Sequence, residues 1–306
     1  MGRGSNFSSG RMKESEKRDS GTLSVRRWRL RKTFPFLKII LTIRSMRTVG
    51  IDTGGTFTDL VLFDGDVLRT KKVPSTPHDP AEALMAGLKE LFSSAGSGEA
   101  REPEVSIASG NENRKEVPFT LTHGSTVATN ALLERKGALV ALLITAGFED
   151  ILEIGRQNRP SLYDLNVEKP PPLIARKNIF GVNERSLHDG TIERRPDRSE
   201  IEEIAQLILS SGCNSVAICF LHSYRNPENE RLVAQWLEHL GIPISVSHRV
   251  LPQYREYERF STTSVNSFVS PIMGAYVQNI EKKIPRTARL RIMQSNGGSI
   301  SASRAR

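Results

Sequence analysis

Cysteine, tryptophan and other aromatic residues are scarce in this 306-residue chain. It contains two cysteines, Cys213 and Cys219, and only 6% of its residues are aromatic. Two cysteines exclude the dense disulfide framework of a small secreted domain. If both lie in one strand they are ~20 Å apart, which is too far for them to bond each other. Free thiols are typical of a reducing compartment, so we expect a cytoplasmic protein.

Two further absences narrow the class of protein. The six histidines are scattered, with no His-x-x-x-His pair and no cysteine cluster, so the sequence predicts no zinc site. The apolar run FPFLKIILTI near the N-terminus is short and contains Lys38, which makes it unable to span a bilayer. We therefore expect no membrane partner.

The excess positive charge is confined to the N-terminus. The net charge is +9, and residues 1–46 hold 12 Lys and Arg against 3 Asp and Glu, which leaves 31 of each in the other 260 residues. Because the remainder is neutral, we expect no nucleic-acid partner. The leader has three interpretations: a disordered basic tail, an organelle presequence, or upstream sequence from a mis-set start, since Met46 directly precedes the first predicted strand.

The hydrophobic periodicity predicts an α/β protein. Alternation predicts a three-strand meander over residues 48–73, with an Asp-Gly turn at 64–65. A helix (80–94), a polar insertion that we expect to be flexible (96–117), a strand (119–124), a helix (126–137) and a strand (138–145) follow. This order predicts one mixed sheet covered by helices. After a loop-rich stretch, helices are predicted at 200–211, 226–240 and 256–283, and strands at 215–220, 243–247 and 289–294.

The turn after the first strand reads Asp-Thr-Gly-Gly-Thr-Phe-Thr-Asp. A two-glycine hairpin turn needs no ligand. However, Asp52 ends a buried strand, where a carboxylate is costly unless it serves a cation, and Gly54 and Gly55 let backbone amides approach a phosphate closely. We expect the hydroxyls of Thr56 and Thr58 on one side of the next strand and Asp59 on the other. The motif predicts phosphate binding by Asp52, Thr53, Gly54, Gly55, Thr56, Thr58 and Asp59.

A second motif, Thr-His-Gly-Ser-Thr at 122–126, joins a strand to a helix. Ser125 or Thr126 is a good helix cap, and this needs no function. A helix N-terminus at the carboxyl end of a strand is also a favoured position for an anionic ligand. The family resemblance given below implies that this motif lies near an active cleft, which makes His123 a candidate to polarise a carbonyl or to transfer a proton.

Two further motifs carry dense polar groups. The segment Gly-Arg-Gln-Asn-Arg at 155–159 is followed by Tyr163 and Asp164. The side chains of Arg156 and Asn158 are candidate donors to a carboxylate or imide, or are simply solvated. In the helix start Tyr-Arg-Glu-Tyr-Glu-Arg at 254–259, mixed charge is typical of a solvated face. Arg255, Glu258 and Asn266 become candidate site residues only through the family resemblance given next, which implies that a similar segment lies near a domain junction.

Several blocks together carry a family resemblance. VGIDTGGTFTDLVLFDG resembles the first phosphate motif of the actin and sugar-kinase ATPase superfamily. With THGSTVATNALLERKG, FLHSYRNPENE, LPQYREYERFSTTSVNSFVSP and MQSNGG in order, most of residues 47–298 resembles the N-terminal region of the hydantoinase A/5-oxoprolinase family. The resemblance implies a ribonuclease-H-like mixed sheet with flanking helices.

The same resemblance implies an activity and its cofactors. It implies ATP-dependent opening of a cyclic amide or imide, such as 5-oxoproline or a hydantoin, with ATP and Mg²⁺ or another divalent cation. Asp52 would hold the metal through water, Gly54, Gly55 and Thr56 would contact phosphates, and Thr58 or Asp59 would support the loop. The alternatives are a subunit of an ATP-dependent ketone carboxylase and a non-catalytic nucleotide-binding module.

The resemblance also implies how the chain is divided. We expect a leader (1–46), an N-terminal domain with the phosphate loop (47–225), and the start of a second α/β domain (226–306) that is cut short. A C-terminally truncated chain would need the missing half or a partner subunit to complete a nucleotide site, and we expect an oligomer.

Overall fold

The computed structural model describes residues 47–65, 67–76, 79–93, 118–158, 163 and 171–305. The leader and the insertion predicted at 96–117 lie outside the described residues.

The first sheet has six strands in the order β12-β11-β4-β1-β2-β3. Its strands are β1 (Arg47–Thr53), β2 (Phe57–Phe63), β3 (Leu68–Pro74), β4 (Phe119–Ser125), β11 (Ala288–Met293) and β12 (Ser299–Ser301). The first three form the predicted antiparallel meander, and β4 and β11 run parallel to β1. The sheet is therefore mixed, as the sequence predicts.

The second sheet has four parallel strands in the order β10-β9-β5-β6. They are β5 (Val140–Thr145), β6 (Ile179–Val182), β9 (Ser215–Cys219) and β10 (Ile244–Val246). Two short strands that follow β6 in the chain, β7 (Arg185–Ser186) and β8 (Ile192–Arg194), form a separate antiparallel pair. All of these strands come from the chain between β4 and β11.

Seven helices connect the described strands, with 3₁₀ turns at Arg176–Asn178, Glu238–Leu240 and Ala302–Arg304. The helices are α1 (Pro80–Ser93), α2 (Val127–Leu133), α3 (Ile151–Ile154), α4 (Arg198–Ser210), α5 (Glu228–Leu237), α6 (Ser247–Val250) and α7 (Glu256–Lys283). Helix α7 begins and ends at the predicted residues. No helix in these described segments is both long and apolar enough to cross a membrane.

One face of the first sheet forms its core. Buried and exposed residues alternate along β2, so Leu60 and Leu62 face α1 and α7 while Phe57, Val61 and Phe63 lie on the opposite, exposed face. In α1, Gly87 lies against Leu60, because a Cβ there would be only 2.4 Å from Leu60 Cδ1. The phosphate-loop candidates thus lie at the end of a sheet that is covered on one side.

The second sheet is buried on both faces. Helices α4 and α5 cover one face, and the first half of α7, with Phe260 and Phe268, covers the other. The second half of α7, with Val277 and Ile280, packs against the first sheet. Helix α7 therefore contacts both sheets along its length.

The prediction that residues 138–145 continue the first sheet is wrong. This strand, β5, pairs with β9 and β6 in the second sheet, and the strand beside β4 is β11. Every residue of β5 is buried, so the strand needs cover on both faces, which the first sheet does not offer. The predicted boundary at 225–226 stays a prediction, and β9 and β10 on either side of it pair in one sheet.

The cysteines and the loop-rich stretch also differ in detail. Cys219 lies in β9 but Cys213 precedes that strand, and both thiols are buried and free. The stretch 147–200 contains β6, β7 and β8, which are too short to give a periodic pattern.

Candidate functional site

The carboxyl ends of three parallel strands meet at one edge of the first sheet. Strands β1, β4 and β11 end there, and Gly124 lies between the other two strand ends. A Cβ at Gly124 would be 3.0 Å from Met293 Cε and 3.5 Å from Asp52 Oδ1. The Asp52 carboxylate therefore lies beside the bare backbone of β4. In α/β sheets, ligands bind at this kind of edge.

The β1–β2 turn divides its backbone amides between two uses. Gly54 N donates to Phe57 O at 3.0 Å, which closes the hairpin. Gly55 and Thr56 are exposed, and their amides donate to no other residue in the described segments. A Cβ at Gly55 would meet nothing within 4 Å. The turn therefore satisfies itself through Gly54 and leaves two amides and open space for a ligand.

Two carboxylates face the same side of this hairpin. Asp52 and Asp59 are cross-strand partners, so their side chains lie on one face. Asp59 Oδ1 is 3.3 Å from Lys72 Nζ, whereas Asp52 has no partner in the part of the chain that the structure describes. The expectation that Asp52 is buried is wrong, because β1 is covered only on its other face and Asp52 is exposed.

This donor set fits a hydrated cation that arrives with a phosphate. Opposed carboxylates repel each other, and a cation between them relieves that repulsion. Mg²⁺ is usually held by one or two carboxylates together with waters and phosphate oxygens. No group of three or more metal-ligating side chains occurs among the described residues, so Asp52 and Asp59 offer two carboxylates rather than a full protein cage.

Thr58 supports the turn from inside the fold. It is fully buried, and its hydroxyl is 2.9 Å from Ser75 Oγ. Ser75 in turn donates from Oγ to Gly54 O at 2.8 Å and from its amide to Thr56 O at 2.9 Å. Thr58 and Thr56 therefore do not share one accessible side as predicted, because Thr56 lies in the exposed turn. Ser75 was not predicted, since nothing in a Pro-Ser-Thr-Pro stretch marks it as a partner of a distant loop.

His123 lies in the core rather than at the edge. It has no exposed surface, and its cross-strand neighbours Ile51 and Ile292 share the face that α7 covers. Its Nε2 is hydrogen-bonded to the Tyr276 hydroxyl, and its Nδ1 has no partner among the described residues. Burial lowers the pKa of His123 to about 4, so the ring is neutral at neutral pH.

The helix after His123 fits the capping interpretation only in part, because Thr126 occupies the cap position but its side chain makes no capping hydrogen bond. Helix α2 has seven residues, and Ser125 Oγ accepts from Val127 N at 3.2 Å. This short helix gives no separate anion site. The residue of this motif that reaches the edge is Gly124, beside Asp52.

Arg156 joins two of the predicted motifs. Its Nε donates to Glu258 Oε1 at 2.9 Å, and its guanidinium carbon lies 6.0 Å from the centre of the Tyr257 ring. Asn158 is exposed in the same loop. Arg159 and Asp164 lie outside the described residues, and Tyr163 is 92% exposed. The positive charge of Arg156 is thus balanced by a carboxylate from the start of α7.

The three predicted catalytic residues do not form one site in this structure. Arg156 contacts the Tyr257 end of α7, whereas His123 contacts Tyr276. At ~1.5 Å per residue these two tyrosines are ~28 Å apart along the helix. Arg156 and Asn158 therefore belong to the region of the second sheet, and His123 lies beneath the β1–β2 turn.

A buried network at the carboxyl ends of the second sheet was not predicted. Glu230 and Arg259 are both fully buried, on α5 and α7. Ser247 Oγ donates to Glu230 Oε1 at 2.6 Å, and Arg259 Nε donates to Ser247 Oγ at 3.1 Å. Glu230 also accepts from Phe220 N at 2.9 Å and is 2.6 Å from His248 Nδ1. Charged residues at the start of a helix are usually solvated, so nothing in the sequence indicates that Glu230 and Arg259 are buried.

The remaining candidates make structural contacts. Arg255 Nε donates to the Tyr254 hydroxyl at 3.2 Å, and Asn266 Nδ2 donates to Ser245 Oγ at 3.0 Å. A second buried acid, Glu184, accepts from Thr145 Oγ1 and from Asn229 Nδ2, and burial raises its pKa. The contacts of Asn266 and Glu184 hold the second sheet to its helices, whereas the Arg255 contact is local and exposed.

Comparison with protein families decides where the chain belongs. The model of the hydantoinase/oxoprolinase N-terminal region matches residues 48–241, and the hydantoinase/oxoprolinase model matches residues 259–306. The chain belongs to the hydantoinase/oxoprolinase family. The resemblance predicted from the sequence blocks is thereby confirmed.

Relatives in this family differ in their named substrates. The chain is 36% identical over 260 residues to caprolactamase subunit alpha of Pseudomonas jessenii, covering 82% of this chain and 35% of the relative. It is 29% identical over 280 residues to the 5-oxoprolinase of Dictyostelium discoideum, covering 81% and 21%. It is 30% identical over 276 residues to the acetophenone carboxylase gamma subunit of Aromatoleum aromaticum, covering 83% and 36%.

Two solved structures resemble the family member described here. A nucleotide-free acetone carboxylase superposes with a TM-score of 0.70 at 27% identity, covering 85% of this chain and 37% of that one. The ATP-dependent caprolactamase of Pseudomonas jessenii superposes with a TM-score of 0.67 at 33% identity, covering 83% and 36%. The predicted actin-like mixed sheet with flanking helices is confirmed. The chain spans about a third or less of the length of these relatives.

Proposed function

We propose that this family member binds ATP with a divalent cation at the β1–β2 turn. The observation that carries the proposal is the Asp52 carboxylate beside the amides of Gly55 and Thr56, all three without a partner among the residues that the structure describes. The amides are suited to phosphate oxygens, and Asp52 with Asp59 is suited to a hydrated Mg²⁺. Thr53 and Thr58 are buried beneath the turn, and Thr58 is linked to its backbone through Ser75.

We further propose that the whole protein uses ATP to open a cyclic amide or imide, such as 5-oxoproline or a hydantoin. A lactam carbonyl is resonance-stabilised and a poor target for water. Transfer of the γ-phosphoryl group from ATP to the amide oxygen releases ADP and makes the ring carbon more electrophilic, and such transfer depends on positioning and charge neutralisation. Water then adds to that carbon, the C–N bond breaks to free the amine, and a second water hydrolyses the acyl phosphate to carboxylate and phosphate. Support comes from the caprolactamase and 5-oxoprolinase relatives.

The substrate contacts are a separate part of the proposal. Arg156 and Asn158 offer donors to a carboxylate or imide at the second sheet, with Glu258 orienting Arg156 at 2.9 Å. His123 has no place among the proposed substrate contacts, because it is enclosed in the core. The chain covers about a third of its relatives, two of which are named as subunits, so we propose that further polypeptide or a partner subunit completes the site in a cytoplasmic oligomer.

A ketone carboxylase subunit is the second candidate. The acetone carboxylase structure has the TM-score of 0.70, and the acetophenone carboxylase gamma subunit is 30% identical. In both candidates ATP activates an oxygen of the substrate. Phosphate release by the full-length protein distinguishes them: 5-oxoproline, hydantoin and caprolactam on one side, and acetone or acetophenone with bicarbonate on the other. A nucleotide-binding module without catalysis would bind ATP and release phosphate with neither set.

Calorimetric titration of Mg·ATP into the chain tests the site directly. We expect Asp52→Asn to weaken Mg·ATP binding and to leave metal-free ATP binding unchanged, because only the cation contact is lost. Asp189→Asn is the matched control, since this exposed aspartate caps a turn far along the chain and accepts from Thr191 N at 2.9 Å. Equal Mg·ATP affinity in Asp52→Asn and wild type would refute the assignment.

We expect negligible ATP turnover from the chain by itself, and robust lactam-dependent hydrolysis would overturn the need for further polypeptide.

A further inference from the structure

A polar pair lies in the apolar core directly beneath the β1–β2 turn. Tyr276 of α7 and His123 of β4 are both buried, and their neighbours in this core are aliphatic. The aliphatic neighbours include Val49, Ile51, Leu121, Val277, Ile280 and Ile292. Burying polar groups here lowers stability unless they are well paired, and His123 Nδ1 has no partner among the described residues. Packing does not account for the pair.

The Tyr276 hydroxyl holds β4 close to the end of that strand. It is hydrogen-bonded to His123 Nε2, and in the parallel ladder His123 pairs with Ile51 of β1 and Ser125 pairs with Thr53. Ser125 is the last residue of β4, and Thr53 is the last residue of β1, immediately before Gly54. One hydroxyl therefore holds β4 directly and β1 through its pairing with β4.

We propose that Tyr276 and His123 are a positioning pair that fixes the ends of β1 and β4 and thereby the geometry of the Gly54–Thr56 turn. The pair acts on the strands that lead into the turn, whereas Ser75 donates a hydrogen bond to the turn itself at Gly54 O. Because Tyr276 belongs to α7, the turn is tied to a helix that also packs against the second sheet through Phe260 and Phe268. Neither residue touches the ligand. The ligand itself rests on the proposed function, but the positioning does not.

Hydrogen–deuterium exchange without nucleotide tests the positioning by itself. Tyr276→Phe keeps the ring and removes the hydroxyl, so we expect faster amide exchange at residues 53–58 and 123–126. Val277→Ala is the matched control: it deletes core methyl groups from the same helical turn without changing the His123 contact. We expect it to lower global stability and to leave the relative protection of these two segments unchanged. Unchanged exchange in Tyr276→Phe, or the same increase in Val277→Ala, would overturn the proposal.

Replacing His123 gives an independent check. His123→Gln retains a polar end that reaches Tyr276, whereas His123→Leu does not. We expect exchange at residues 53–58 to be closer to wild type in the glutamine variant than in the leucine variant. A leucine variant with full protection would show that burial alone orders the turn and would contradict a role for the hydrogen bond.

Nucleotide affinity separates this proposal from the proposed function. If wild type binds Mg·ATP, we expect Tyr276→Phe to bind roughly tenfold more weakly, as loss of a buried hydrogen bond predicts, and Val277→Ala to bind as wild type does. Failure of wild type to bind would refute the proposed function, while the exchange result would still decide the positioning. Wild-type affinity in Tyr276→Phe would refute the link between the pair and the ligand.

Discussion

Arg259 reaches Glu230 through the hydroxyl of Ser247. The two charged side chains are fully buried on different helices, and Ser247 Oγ lies 3.1 Å from Arg259 Nε and 2.6 Å from Glu230 Oε1. Arg259 also donates to Phe220 O at 3.0 Å, while Glu230 accepts from Phe220 N at 2.9 Å. Both charges thus hold the residue that follows β9, which fixes α5 and α7 at the carboxyl edge of the second sheet.

We expect Arg259→Leu to lower the free energy of unfolding by about 3–5 kcal/mol, because it leaves Glu230 buried without its compensating charge. Denaturant unfolding measures the effect. Arg156→Leu is the matched control: its pair with Glu258 is 61% exposed on the arginine side, and such pairs contribute at most about 1 kcal/mol. Equal losses in the two variants would contradict a special role for the buried network. The double variant Arg259→Leu with Glu230→Leu should be less destabilised than the sum of the single changes.

The buried His123 predicts how stability depends on pH. Its folded pKa of about 4 lies below the ordinary value of about 6.5, so the unfolded chain binds the proton more readily. The contribution is fully present above about pH 6.5 and falls by about 3 kcal/mol as the pH falls towards 4. Unfolding curves at several pH values should show this slope in wild type and a weaker slope in His123→Leu.

The control for that slope is His239→Gln, which changes a histidine whose side chain is 50% exposed. We expect its pH dependence to match wild type. A slope that persists in His123→Leu would place the proton uptake on another group, such as His222, whose pKa burial also lowers. The buried Glu184 cannot be that group, because its raised pKa makes stability fall as the pH rises.

Gly137 is expected to tolerate no side chain. A Cβ there would lie 2.2 Å from Cε1 of the Phe268 ring, which belongs to α7 and is buried. We expect Gly137→Ala to lower stability by about 1–3 kcal/mol, as overpacked cores do. Gly274→Ala, within α7 and with nothing within 4 Å of its Cβ, should instead raise stability by up to about 1 kcal/mol. Thermal unfolding of the two variants compares these opposite signs.

The sequence pattern predicted those elements of the fold that depend on residues close together in the chain. The alternation of apolar and polar residues along β2 places Leu60 and Leu62 in the core. The helix predicted over residues 256–283 is observed as α7. The sheet membership of β5 was not predictable from its own residues, because a fully apolar strand fits any two-sided core. The burial of Arg259 and Glu230 depends on partners far apart in the chain, and so does the link from Thr58 through Ser75 to Gly54.

The turn at Gly54–Gly55 offers a test between a phosphate cradle and a plain hairpin. A Cβ at Gly54 would lie 3.2 Å from Phe57 O, so Gly54→Ala strains the hairpin itself. A Cβ at Gly55 meets nothing within 4 Å, so the fold accepts alanine there, with stability unchanged or raised by about 0.4–1 kcal/mol. We expect Gly55→Ala to keep its thermal unfolding midpoint and to bind Mg·ATP more weakly, because the new methyl group occupies the space beside the free amides. If Gly55→Ala binds Mg·ATP as tightly as wild type, the second glycine is not part of a phosphate site.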